Sequence, residues 1–202
     1  MSKKNWTYIG FFVVLVVGFY FALMALVPDL AKKRVPPISY VRPFAFTNQY
    51  GEPFTEKNVA GKVYVAEYFF TTCKSICPVM NTNMKKVFDE FKGEKNFLIL
   101  SHTSTPDIDS VSLLKKYADS MGVNNANWIF LTGRKDSLYQ TARISYAIDD
   151  PNNNVKNIKD DFLHTQFWAL IDKNGDVRKI YDGLKPSEVK MLISDIKEML
   201  KE

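Results

Sequence analysis

Cysteine and histidine are scarce in this chain, with two of each among 202 residues. The two cysteines, Cys73 and Cys77, close a loop of only five residues, for which chain-entropy arguments allow about 2 kcal/mol of stabilisation. A structural disulfide is therefore a poor reason for their placement. Excess charge is lacking too. Lys3 and Lys4 precede the first apolar segment, and the rest carries 25 basic against 22 acidic side chains, or +3. That balance argues against a nucleic-acid partner. No internal repeat and no low-complexity tract interrupts a composition of 46% hydrophobic and 24% charged residues, which is that of an ordinary folded domain.

What is present begins with YIGFFVVLVVGFYFALMALV, Tyr8 to Val27, a run without charge and long enough to cross a bilayer as a helix. It exceeds the apolar core of a cleaved signal peptide and is expected to stay as an anchor. No cysteine follows it that a lipid could modify. Lys3 and Lys4 on one side face Lys32, Lys33 and Arg34 on the other, so charge bias leaves the orientation open. A single globular domain directly after such a helix favours the outer face of the membrane. The expected division is an anchor over 1–27, a proline-rich basic spacer over 28–43 (PDLAKKRVPPISYVRP), and one domain over 44–202. Within that domain NVKN (154–157) has the composition of a flexible insertion.

The domain alternates strand and helix patterns. KVYVAEYFF (62–70) reads as a buried strand and is followed by the stretch TTCKSICPVM, from which Val79, Met80, Met84, Val87, Phe88 and Phe91 fall at helical spacing. NFLILSH is a second strand, Val111 to Met121 a helix ending at Gly122, and NWIFLTG a third strand. Lys135 to Tyr146 reads as helix. QFWALID (166–172) and VRKIYDG (177–183) form a hairpin, and Pro186 opens a last helix. This order predicts an α/β domain of thioredoxin type, with the cysteines at a strand-to-helix junction. The helix dipole and the adjacent Lys74 then favour thiolate at both sulfurs.

Two thiolates suit Cu(I) or Zn(II), but Cys73, Cys77 and one imidazole fit a low-coordinate copper site better than a closed zinc site. The candidates for that imidazole are His164, just before the strand QFWALID, and His102, at the end of NFLILSH. Met80 and Met84 are soft thioethers one turn apart, and their spacing is that of core residues. Lys85 and Lys86 read as a solvated helix face.

FFTTCKSICPVM, WIFLTG and HTQFWALIDKNGDV together resemble the Sco/SenC family of membrane-anchored copper chaperones with a thioredoxin-like fold, a resemblance spanning roughly residues 40 to 200. It implies that Cys73, Cys77 and His164 are metal ligands, framed by Pro78 and Thr165. It further implies copper as the bound ion and the CuA site of cytochrome c oxidase subunit II as the partner, with other periplasmic copper carriers as further candidates. The location implied is the inner membrane, with the domain on the periplasmic side. Lys74, Thr105 and Leu163 stand where the family often has Pro, Asp and Asp, so the surroundings of the ligands differ while the ligands are intact. The rival reading is a thiol-disulfide oxidoreductase with Cys73 attacking and Cys77 resolving. A peroxidase relative has less support, because no additional cysteine or Thr-Cys-Arg pocket is present.

Overall fold

The computed structural model describes residues 3–26, 36–123, 127–153, 158 and 160–201. The expected flexible insertion NVKN and the basic cluster Lys32, Lys33 and Arg34 lie outside the described residues. The chain divides into two units, Met1–Pro36 and Pro37–Glu202. The first holds helix α1 (Lys3–Leu26), which from Lys4 onward is long and apolar enough to cross a membrane.

The second unit is built on one eight-stranded mixed sheet. Its elements are β1 (Ser39–Tyr40), β2 (Ala45–Asn48), β3 (Pro53–Thr55), α2 (Glu56–Val59), β4 (Val63–Phe69), α3 (Cys77–Phe91), β5 (Phe97–Thr103), α4 (Val111–Ser120), β6 (Trp128–Thr132), α5 (Lys135–Gln140), β7 (Phe167–Ile171), β8 (Asp176–Asp182) and α6 (Pro186–Met199). The strand order is β1-β8-β7-β4-β5-β6-β2-β3. β4, β5 and β6 run parallel, and β7 and β8 return antiparallel beside β4. That is the thioredoxin-type centre expected from the order of elements, extended by a strand pair at one edge.

Every residue of β4 and β5 is buried, because both faces of the sheet are covered. The period of two along a strand sends Val63, Val65 and Phe69 of β4 to one core with α3, α4 and α6. Tyr64, Ala66 and Tyr68 go to a second core with β2, β3 and α5. Met80 and Met84 are filled into the first core, as their spacing implied. On the opposite side of α3, Lys85 pairs with Asp89 at 2.6 Å and Lys86 with Asn83 at 2.9 Å, consistent with a solvated face.

Three features depart from the sequence reading. Ser39 and Tyr40, inside the segment expected to be spacer, pair with Val177 and Asp176 as the edge strand β1. Residues 45–59, where the apolar pattern is too short to predict an element, form β2, β3 and the capped turn α2. The helix expected over Lys135–Tyr146 is α only to Gln140 and continues as a π-turn, Thr141–Ser145. Ala147 follows it at φ 54°, a left-handed backbone that a residue with a Cβ adopts only when held there.

Candidate metal centre

Strand β4 delivers the cysteine loop. Cys73 N–H donates to Phe70 O at 3.2 Å, closing a turn, and Cys77 is the first residue of α3 with Pro78 next. Ile76, at the cap position, offers no side-chain acceptor. The Cys73 sulfur lies beside this helix start, 3.7 Å from the Ser75 hydroxyl, where the polar groups of Cys77 and Ser75 favour its ionised form. Burial acts to raise the Cys73 pKa, but these groups outweigh it and leave the thiol below its ordinary value. Cys77 moves the other way. It is 3% exposed, and burial first, then its own donation to Cys73, pushes it up to about 12. The expected bias toward thiolate is thus met in direction at Cys73 and reversed at Cys77, and at Cys73 neighbouring hydrogen-bonding groups rather than the exposed Lys74 overcome burial.

Cys73 opens into a cleft of about 420 Å³ whose walls include Thr71, Pro78, Asn81, Tyr117 and Met121. The loop is fixed at its start by Asp109, which sequence reasoning missed. This wholly buried carboxylate accepts from the Thr71 hydroxyl and backbone N–H and from the hydroxyls of Thr103 and Thr105. The TTC and HTSTPDID stretches contain these donors, but nothing in their spacing shows that they converge. Glu67 was missed as well. It lies on β4 with no exposure and accepts from Ser101 Oγ at 2.5 Å, while its other oxygen and the nearby Trp168 Nε1 make no hydrogen bond. Burial outweighs these dipoles and raises it to about 7.

The two histidines occupy different worlds. His102 has no exposure. On β5 it points to the second core, away from the cysteines. There it stacks on Tyr68 at 5.0 Å, meets Phe46 and Tyr146 edge-on, and has Nδ1 3.3 Å from Glu67 O. Burial lowers it to about 4, so it is a neutral core imidazole. His164 is exposed, in the segment before β7. Its ring stacks on Phe162 and lies 6.0 Å from the ring of Phe70. Phe70 therefore touches both halves of the site, because its carbonyl also accepts from the Cys73 backbone N–H. His164 lines its own cleft of about 440 Å³ with Ala147, Ile148, Asp149 and Asp150. Among the described residues no three His, Cys, Asp or Glu side chains stand close enough to hold a metal ion. The structure brings Cys73 and Cys77 together and sets His164 one aromatic ring away.

A reactive thiol and a buried partner at the strand-to-helix junction of a thioredoxin-like sheet define a protein of dithiol or soft-metal chemistry. Sequence likeness narrows the class. A profile of the SCO1/SenC family matches residues 33–201. The SCO1 protein homolog of Bacillus subtilis (strain 168) is 32% identical over 165 residues, covering 80% of this chain and 83% of that protein. The chain belongs to the SCO1/SenC family. The solved structure of BsSco, a member of the Sco family of cytochrome c oxidase assembly proteins in which a disulfide switch was identified, is 30% identical. It has a TM-score of 0.68 and covers 81% of this chain and 95% of that one. Yeast Sco1 with copper bound has a TM-score of 0.60 at 24% identity, covering 81% of this chain and 94% of that one, a likeness of fold.

Proposed function

We propose that this protein is a membrane-anchored copper chaperone whose cargo is held by Cys73, Cys77 and His164 and passed to the CuA site of cytochrome c oxidase subunit II. The observation that carries the reading is the sulfur pair itself, one thiol lowered and open to a cleft, the other buried against it, in a chain of the SCO1/SenC family. The donor set fits the ion in kind: two thiolates and a neutral imidazole are what copper takes from proteins. Cys73 receives the ion first because it is the accessible sulfur. Cys77 joins by giving up its proton, so affinity falls as pH falls. His164 completes the site from the neighbouring segment, and α1 tethers the domain, which occupies the periplasmic side in this reading. The division into an anchor, a spacer and a domain from about residue 44, with β1 reaching back into the spacer, belongs to the same proposal.

The test is titration of the detergent-solubilised chain with Cu(I) and Cu(II), following stoichiometry and sulfur-to-copper charge-transfer absorption. One ion per chain is expected, and no binding under reducing conditions refutes the reading. The second reading, a thiol-disulfide oxidoreductase that keeps the thiols of its partner reduced, is favoured by the asymmetry of Cys73 and Cys77, since attack needs one poised sulfur and one that resolves. His164 separates the two: copper binding needs an imidazole and dithiol exchange does not.

A further inference from the structure

The segment that carries His164 is clamped by an ion cluster that neither the cysteine loop nor the core packing calls for. Arg143, on the π-turn, is almost wholly buried, and its guanidinium is divided between two carboxylates that bracket the connection leading to His164. Nε donates to Asp149 Oδ2 at 2.7 Å, while the two terminal nitrogens fork onto Asp161 at 2.6 and 3.0 Å. A buried bidentate pair of this kind fixes orientation as well as distance.

Asp161 stands three residues before His164. Between them Leu163 is sunk in the second core, and after them Thr165 Oγ1 donates to Ile148 O at 2.8 Å. Segment 161–165 is thus pinned at three successive odd positions, leaving Phe162 and His164 to project together and stack on one another beside Phe70. The other end of the clamp is moored to the cysteine side. The Arg143 guanidinium lies 5.5 Å over the Tyr139 ring, and Tyr139 OH donates to Ser104 O at 2.8 Å, in the loop whose Asp109 holds Thr71. A continuous chain of contacts therefore runs from the cysteine loop to the histidine segment.

We propose that Arg143, through its fork onto Asp161, is the positioning residue that holds the His164 imidazole beside Phe70, one aromatic ring from the Cys73 and Cys77 sulfurs. The inference rests on the copper reading of His164. It makes the π-turn part of the metal site at one remove: in a regular α-helix the side chain at 143 points in a different direction, and the clamp is lost.

The experiment compares Arg143→Ala, Asp161→Asn, His164→Ala and the double variant Arg143→Ala/His164→Ala, each as the full chain in detergent. Copper affinity and the nitrogen-coupling signature of the Cu(II) form are measured, with circular dichroism as the check on folding. Arg143→Ala is expected to weaken copper binding about 10- to 100-fold and to lose the nitrogen signature, while the Cys73–Cys77 disulfide still forms at the wild-type rate. In the His164→Ala background the same change is expected to cost nothing more, because a residue that acts through the imidazole has nothing left to act on. If Arg143→Ala does not fold, Asp161→Asn, which keeps the shape and the Arg143–Asp149 pair, shows the same loss of signature. Wild-type affinity and nitrogen signature in Asp161→Asn and Arg143→Ala, with loss only in His164→Ala, overturn the clamp and leave the copper reading standing. An equal loss from Arg143→Ala with and without His164 also overturns it. Unchanged binding in His164→Ala refutes the ligand assignment, and this inference with it.

Discussion

Glu67 and His102 are wholly buried ionisable groups whose preferences oppose one another, and Glu67→Gln should uncover that opposition. Burial raises Glu67 from 4.5 to about 7 and lowers His102 from 6.5 to about 4. For Glu67, raised in the folded state, the stabilising contribution is complete below pH 4.5 and is lost as pH rises to 7. For His102, lowered in the folded state, the contribution is complete above pH 6.5 and is lost as pH falls to 4. Each displacement is worth about 3 kcal/mol over its window. The windows nearly coincide and the signs differ, so together the two groups leave the wild type almost flat between pH 4 and 7. Glu67→Gln keeps an acceptor for Ser101 Oγ but removes the charge. The variant should equal the wild type up to a constant offset at pH 4, and gain on it by about 3 kcal/mol by pH 7.5. Urea unfolding of the reduced, metal-free Pro37–Glu202 unit, which contains both cores, measures the difference at each pH. A difference between variant and wild type that does not change from pH 4 to 7.5 refutes the reasoning.

Alkylation at neutral pH should label Cys73 well before Cys77, and peptide mapping that finds equal rates would contradict the asymmetry of the pair. Cys73→Ser or Cys77→Ala should abolish tight copper binding and disulfide formation while costing the reduced fold no more than about 1 kcal/mol, read by thermal melts; a variant that fails to fold makes the pair structural. His102→Ala should destabilise the domain by about 3 kcal/mol through the cavity it leaves without lowering copper affinity, and His164→Ala should do the reverse. Removing residues 1–36 should release the domain from the membrane fraction into solution, and protease added to the outer side of intact inner membranes should digest the domain in the full chain; protection of the domain would reverse the proposed orientation.

How far the fold could be read depended on how many residues each element devotes to one environment. β4, β5 and the β7–β8 hairpin are long apolar runs, α3 and α6 repeat their apolar positions over several turns, and all of them lie where periodicity places them. The edge of the sheet was illegible for the opposite reason. β1, β2 and β3 have two to four residues each, too few for a period, and β1 and β2 join the sheet through neighbours distant in sequence, such as Thr47 by Thr132. The π-turn is likewise invisible in composition: TARIS carries no glycine or proline, and only the demand of Arg143 for two carboxylates across the following connection gives its shape a reason.

The site divides in the same way, and the histidines show why. Residue type makes both His102 and His164 candidates, the one near the end of β5 and the other in the segment before β7. Strand phase separates them. His102 pairs in register with Tyr68, and both side chains face the second core, whereas Phe69 and Thr103, one residue on, face the side where Cys77 is packed. A shift of one residue along β5 would have turned the imidazole to the side where Cys77 is packed and put a serine or a threonine among Tyr68, Phe46 and Tyr146. His164 escapes this constraint because it precedes β7 and belongs to no strand. Its direction is set by Leu163 in the core and by Asp161 under Arg143, the latter a contact made across 18 positions of sequence. The chemistry of the donors was legible from their identity; which donors could meet was written in the pleat of the sheet and in one buried arginine.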